Sequence, residues 1–214
     1  MSQLPEARAT ASTAGLLERA AALSSATLHE AAGRAGALPA ALKPLHPEMR
    51  MAGRALPVRC PAGDNLRCHR SRVEASARDV LVVDVGAGVE FGYWGEIMAT
   101  AAIARGLAGL VITGGVRDSR RLVELGLPTF ARTIAIQGTG KNPAGDGAVG
   151  EPLRLGEIVA RRGDLIVGDA DGVVCLPWER AAEVIGASER RDAAEADIIA
   201  KIRAGASTLD VYKL

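Results

Sequence analysis

Gly114-Gly115-Val116-Arg117-Asp118, with Glu96 upstream, sets a guanidinium, two carboxylates and two glycines where they can serve one small anionic ligand. The planar fork of Arg117 can pair both oxygens of a carboxylate, which a lysine's point charge cannot do. Asp118 and Glu96 are hard oxygen donors, and two carboxylates near one point repel unless a cation or proton intervenes. Mg²⁺ suits such a pair, because it takes few protein carboxylates and keeps several waters. One aspartate can then bind it directly while a second carboxylate holds a water. A metal so placed polarises the carbonyl of a small keto acid as a Lewis acid. Each residue also has a plainer reading: Asp118 as a helix N-cap, Glu96 as a first-turn acid facing the helix dipole, Arg117-Asp118 as a solvated surface pair. The conjunction of the three at one end of two adjacent strands favours a site.

Other chemistries find less support. His29, His46 and His69 fall at no metal-ligand spacing and read as surface or satisfied core histidines. No Ser or Cys lies in a nucleophile-elbow context. The only lysines are Lys43, Lys141, Lys201 and Lys213, and none sits in an apolar strand that would depress its pKa for Schiff-base work. A metal route to an enolate is therefore preferred over an imine. Gly86-Ala87-Gly88-Val89-Glu90-Phe91 has Phe where a dinucleotide fingerprint needs its third glycine, and Gly140-Lys141 is followed by Asn142 rather than Ser or Thr.

The elements that must position these groups are legible in the pattern. Residues 6–22 and Ser24 to Ala32 read as two N-terminal helices, ended by Gly33 and Gly36. Arg54 to Cys60 alternates as a strand, and a turn at Gly63-Asp64-Asn65 leads into a helix over 66–75. Asp79 to Val85 and Gly109 to Thr113 are short β-branched runs of the buried-strand type. A helix is expected from Glu96 to Gly106. Gly114-Gly115 is expected to break the second strand, exposing backbone N–H groups to an anion, with Asp118 capping the next helix up to Gly126. Beyond Pro128 come short strands at 129–132, 153–159, 164–169 and 172–176, and then a long amphipathic helix from Trp178 to Ala204, stopped by Gly205. Residues 138–150 have the glycine content of a mobile loop.

Composition narrows the class. The 214 residues are 48% hydrophobic, enough for one ordinary core, and a single domain is expected. Lys and Arg total 26 against 25 Asp and Glu, so there is no global basic field for nucleic acid or an anionic membrane. The N-terminus lacks a signal-peptide pattern and no apolar run approaches a membrane span, so a cytoplasmic location is expected. Cys60, Cys68 and Cys175 show no paired CxxC spacing and read as reduced, mostly buried thiols.

Three stretches carry a family resemblance: Gly92-Tyr93-Trp94-Gly95-Glu96, Ala104 to Ile112, and Gly114 to Asp118. Val58 to Asn65, Asp169 to Val174 and Pro177 to Ala181 extend it over most of the chain. The sequence resembles the RraA-like family, and within it the 4-hydroxy-4-methyl-2-oxoglutarate and 4-carboxy-4-hydroxy-2-oxoadipate aldolases. The resemblance implies a single α/β domain of the swivelling β/β/α type, with residues 1–50 as an N-terminal helical segment and the 178–205 helix reaching a neighbouring subunit of a homotrimer or homohexamer. It implies a class II pyruvate aldolase that also decarboxylates oxaloacetate and uses Mg²⁺ or Mn²⁺. Asp118 would bind the metal directly, Arg117 would hold the substrate and stabilise the enolate, and Glu96 would anchor a water of the metal. Glu195 of the neighbouring subunit would anchor a second water, with Glu189 as its substitute. Gly95, Glu96 and the N–H groups of Ile97 and Met98 would meet the substrate, and Lys141 a second substrate carboxylate. The same family contains inhibitors of RNase E, so a non-enzymatic binding protein is the alternative.

Overall fold

β-Branched runs decide where the sheet forms. Val80 to Val83 and Leu110 to Ile112 are wholly buried in two neighbouring parallel strands, and successive side chains point to opposite faces. Leu81, Val83, Leu110 and Ile112 thus enter one core, while Val80, Val82 and Val111 enter another. A strand buried on both faces needs apolar residues at every position, which is why these runs do not alternate.

The structure is a computed structural model that describes residues 12–214. The start of the first expected helix, residues 6–11, lies outside the described residues. The helices are α1 (Thr13–Ala22), α2 (Ser25–Ala31), α3 (Leu66–Glu74), α4 (Glu96–Ala104), α5 (Ser119–Leu125), α6 (Trp178–Arg203) and α7 (Thr208–Tyr212). The strands are β1 (Lys43–Pro44), β2 (Met51–Arg59), β3 (Asp79–Asp84), β4 (Gly92–Trp94), β5 (Gly109–Val116), β6 (Thr129–Ile134), β7 (Ala148–Val149), β8 (Leu153–Leu155), β9 (Ile158–Ala160), β10 (Leu165–Asp169) and β11 (Gly172–Leu176).

The main sheet runs β1-β6-β5-β3-β2-β10-β11, with β4 beside β5 and β7 beside β2. Strands β2, β3, β5 and β6 are mutually parallel, while β1, β10 and β11 pair antiparallel. This is the mixed α/β architecture expected, with the long C-terminal helix in place. Helices α3, α4 and α5 cover one face of the parallel strands, and α1, α2 and α6 pack on β10 and β11 through Leu16, Leu28, Val184 and Ile185. Burying each such aliphatic side chain is worth about 1.5–3 kcal/mol. All three cysteines are free and buried, and Cys60 Sγ lies 3.4 Å from Cys68 Sγ. Among the described residues no helix is long and apolar enough to cross a membrane.

Several local expectations change. Gly114-Gly115 does not end its strand, since β5 runs through both glycines to Val116 with a register shift against β6 between Ile112 and Gly115. The glycines are there for packing. A Cβ on Gly114 would lie 2.7 Å from Val85 Cγ2, and one on Gly115 would lie 2.7 Å from the Phe91 carbonyl oxygen and 2.8 Å from Ala135 Cβ. The Tyr93 ring, in the short strand β4 read in the sequence as part of a loop, would stand 3.1 Å from the Gly114 Cβ. Residues 153–159 form the hairpin β8-β9 rather than one strand, turning at Gly156 with φ 60°. Gly205, at φ 102°, follows α6 as expected, and the capped turn α7 beyond it was not anticipated.

Candidate active site

The parallel strands end on the side where their connecting loops converge, the usual ligand position in open α/β sheets. There Asn65 and His69 from the start of α3, Tyr93 from β4, Gly95, Ile97 and Met98 at the head of α4, Arg117 and Asp118 after β5, and Lys141 line a cavity of about 200 Å³. Drug-sized ligands occupy clefts upwards of roughly 300 Å³, so this volume suits a smaller molecule. A wider hollow of about 390 Å³, lined in part by His46, Arg50 and Val123, is more open to solvent.

Asp118 occupies the N-cap position of α5 in the left-handed region, φ 56° and ψ 35°, which aspartate tolerates better than most residues. Its side chain makes no cap bond to its own helix. Instead Oδ2 accepts the Glu96 backbone N–H at the head of α4, at 3.1 Å. Gly95 makes this approach possible. Its backbone is extended, φ −153°, so its need for glycine is one of space: a Cβ would stand 2.5 Å from Asp118 Oδ2 and 3.1 Å from Arg117 Cγ. The Arg117 main chain is fixed by its N–H to the Trp94 carbonyl at 2.8 Å.

The side chain of Glu96 faces away from this group. Its Oε1 accepts from Arg121 Nε at 3.1 Å and Nη2 at 2.9 Å, a half-exposed pair on the surface. Glu195 pairs with Arg191 one helical turn earlier at 2.8 Å, and Glu189 binds Arg19 of α1 through both oxygens. The Arg19 hydrogen bonds hold the Glu189 carboxyl below its ordinary pKa. Of the glutamates singled out in the sequence, Glu96 reaches the cavity rim through its backbone, and neither Glu189 nor Glu195 is among the lining residues.

Three lining residues escaped the sequence reading. Asn65 and Tyr93 lay within stretches quoted for the family resemblance but carried no assigned role, and His69 was set aside because its spacing to other histidines suggested no site. Asn65 is 6% exposed. Its Nδ2 donates to the Tyr93 carbonyl at 2.9 Å, which fixes the amide's orientation and leaves Oδ1 buried without a hydrogen-bond partner. An unmet acceptor in a cavity wall costs about 1–3 kcal/mol until a donor reaches it. His69 Nδ1 lies 3.1 Å from Arg72 Nη2, and burial, then the charges of Arg72 and Lys141, push its pKa below the ordinary value. A neutral imidazole therefore faces the cavity at neutral pH.

The loop after β6 is not loose. Asn65 N–H donates to the Gly140 carbonyl at 3.1 Å, Gly140 N–H to the Gly63 carbonyl at 2.7 Å, and Asn142 N–H to Asp64 Oδ2. The glycine-rich composition of 138–150 suggested mobility, whereas these bonds tie it to the turn before α3 and set Lys141 in the wall.

The donor set can be tested against a metal. Among the described residues no group of three His, Cys, Asp or Glu side chains is arranged to hold one. The chain offers one oxygen of Asp118, the other being engaged by Glu96 N–H. A single hard carboxylate oxygen fits an ion that keeps most of its waters, as Mg²⁺ does, and does not fit a metal needing several protein ligands.

A family model described as Aldolase/RraA, of the RraA-like family, matches residues 13–175. The chain belongs to the RraA-like family. A Halalkalibacterium halodurans protein provisionally named 4-hydroxy-4-methyl-2-oxoglutarate aldolase is 34% identical over 156 residues, covering 73% of each chain. The 4-hydroxy-4-methyl-2-oxoglutarate aldolase of Thermus thermophilus is 31% identical over 66% of this chain and 84% of its own. An uncharacterised Pseudomonas syringae protein superposes with a TM-score of 0.80 at 27% identity, covering 96% of both chains. A Thermus thermophilus structure described as the RNA-processing inhibitor RraA superposes at 0.65 and 29% identity, over 72% of this chain and 92% of its own. The RraA-like fold thus occurs under both an aldolase name and an inhibitor name.

Proposed function

We propose that this RraA-like chain is a divalent-metal-dependent carbon–carbon lyase. It cleaves 4-hydroxy-2-oxo acids of the 4-hydroxy-4-methyl-2-oxoglutarate and 4-carboxy-4-hydroxy-2-oxoadipate type to pyruvate and a second keto acid, and it decarboxylates oxaloacetate. The observation that carries the reading is the convergence of Arg117, Asp118 and Lys141 on one small cavity, with Asp118 held by Glu96 N–H.

Asp118 would hold Mg²⁺ or Mn²⁺, which when bound polarises the C2 carbonyl. Arg117 binds the keto-acid end and meets the negative charge as it builds on the C2 oxygen, where a pre-placed cation acts with little reorganisation. The Ile97 and Met98 N–H groups, in the first turn of α4, are donors for the C1 carboxylate, with Gly95 leaving room beside them. A base takes the C4 hydroxyl proton, the freed O–H pair becomes the new C4 carbonyl, and the C3–C4 pair becomes the C2–C3 double bond of the pyruvate enolate. A proton delivered to C3 completes pyruvate. Loss of CO₂ from oxaloacetate yields the same enolate, so one arrangement serves both reactions. Lys141 pairs with a second substrate carboxylate across the cavity.

Glu96 holds a water in this reading, which requires its carboxylate to leave Arg121. An exposed pair of this kind is worth about 0.2–1 kcal/mol and gives way easily. Glu195 of a neighbouring subunit supplies the second water anchor in a homotrimer or hexamer, and Glu189 suits that role poorly because Arg19 already engages both its oxygens.

The test is pyruvate release from oxaloacetate and from 4-hydroxy-4-methyl-2-oxoglutarate with Mg²⁺, with Mn²⁺ and with EDTA. Release that depends on metal and is abolished by chelation supports the lyase; full activity in EDTA removes the metal from it. A second reading, an inhibitor of RNase E without lyase activity, draws on the likeness to the Thermus thermophilus inhibitor structure. It takes over if neither substrate is turned over and the chain slows RNase E.

A further inference from the structure

Asp64 lies outside the cavity lining, yet it ties together the segments that carry three of the lining residues, Asn65, His69 and Lys141. It is 7% exposed, and both its oxygens are used by backbone N–H groups. Oδ1 accepts from Leu66 at 2.9 Å, fixing the head of α3, and Oδ2 accepts from Asn142, the residue after Lys141. On the other side of Lys141, Gly140 exchanges backbone hydrogen bonds with Gly63 and Asn65, and Gly140 and Asp64 form a parallel bridge. One carboxylate therefore joins the turn that carries Asn65 and His69 to the loop that carries Lys141. Without it the loop would keep the Gly140 main-chain bonds to Gly63 and Asn65, but the residue after Lys141 would lose its tie.

We infer that Asp64 is a positioning residue that gives this site its preference for keto acids with a second carboxylate, by holding Lys141 opposite Arg117. The inference rests on the lyase reading only for the orientation of the substrate. Arg117 and Asp118 take the keto-acid end, which every candidate substrate shares. Lys141, on the loop tied to Asp64, is the cation left for a distal carboxylate, and restricting its backbone before the ligand arrives lowers the ordering cost of binding. Asp64 therefore acts on the discrimination between keto diacids and keto monoacids, and leaves the enolate chemistry alone.

The experiment compares 2-oxoglutarate with 2-oxobutyrate by calorimetry in the presence of Mg²⁺, for wild type, Asp64→Asn, Lys141→Met and the double variant. Pyruvate methyl-proton exchange is followed in parallel. Asn keeps one acceptor at position 64 and turns the other into a donor facing an N–H, so it opens one of the two ties. The wild type should bind the diacid more tightly. Asp64→Asn should cut that preference by about tenfold, the scale of one charge-assisted contact, with 2-oxobutyrate affinity and pyruvate exchange unchanged. Lys141→Met removes the ammonium itself and should also cut the diacid preference, and the double variant should lose no more than Lys141→Met alone. Equal weakening of both ligands, additive losses in the double variant, or a wild type with no diacid preference would each overturn the inference. An absence of pyruvate exchange in the wild type counts against the lyase reading instead, and the binding comparison still judges Asp64.

Discussion

Glu96 donates its backbone N–H to Asp118 Oδ2 at 3.1 Å, joining the heads of α4 and α5 across 22 positions of sequence. An aspartate at an N-cap normally serves its own helix. Here it serves the neighbouring one, so a single bond sets the direction of the remaining carboxylate oxygen and ties it to the stretch Gly95–Met98. Asp118→Asn should preserve an acceptor for Glu96 N–H while removing the charge. Its kcat/KM for oxaloacetate with Mg²⁺ is expected to fall by about 10²–10³-fold with the melting temperature little changed.

Gly95→Ala separates space from chemistry. Its extended backbone is open to alanine, but the new Cβ would meet Asp118 Oδ2 at 2.5 Å and Arg117 Cγ at 3.1 Å. The two side chains must shift, and displacements of this order cost roughly 10²-fold in rate when geometry is demanding. Steady-state kinetics beside a thermal melt should show activity lost well before stability.

Arg117→Lys keeps the charge and loses the fork. If Arg117 pairs two oxygens of the keto-acid end, this variant should lose about tenfold or more in kcat/KM, because one bidentate contact becomes a point contact. An unchanged rate would mean that charge alone suffices there.

His69 makes a prediction with a definite sign. Its folded pKa lies below the ordinary 6.5, chiefly through burial, so between those two values the unfolded chain binds the proton and the folded one does not. Stability therefore falls as pH drops below 6.5 and levels off once the folded form also protonates. Urea unfolding at pH 7 and pH 5.5 should show a drop in wild type that His69→Gln reduces.

Asp169 tests the fold apart from the site. It accepts Ser25 N–H at 2.7 Å, Ser25 Oγ at 2.6 Å and Asp171 N–H at 3.1 Å, securing α2 to the end of β10. Burial pushes its carboxyl up, but the Ser25 and Asp171 bonds outweigh that and leave the pKa lowered, so its contribution is present above the unfolded value of 3.8 and lost as pH falls through the folded one. Asp169→Ala should destabilise by about 1–3 kcal/mol in denaturant titrations, with kcat/KM of the folded protein unchanged.

What the sequence determined by itself was set by local physics. The unbroken apolar runs of β3 and β5 admit only strands buried on both faces, Glu96 begins a helix after two glycines and a short aromatic pair, and Arg117-Asp118 follows a strand at the position where α/β folds bind ligands. Those signals act over a few residues, and they were enough to find the core of the candidate site. Tertiary structure alone decided that Gly114 makes room for Val85 and Tyr93 and Gly115 for Phe91 and Ala135, that Asp118 caps α4, that Glu96 turns to Arg121, and that Asn65, His69 and Lys141 line one cavity. Each of these depends on which strands lie side by side and on a carboxylate at position 64 bonding a loop 78 positions later. No periodicity within a segment records such a distance, because the register that creates it is fixed by the packing of the whole sheet.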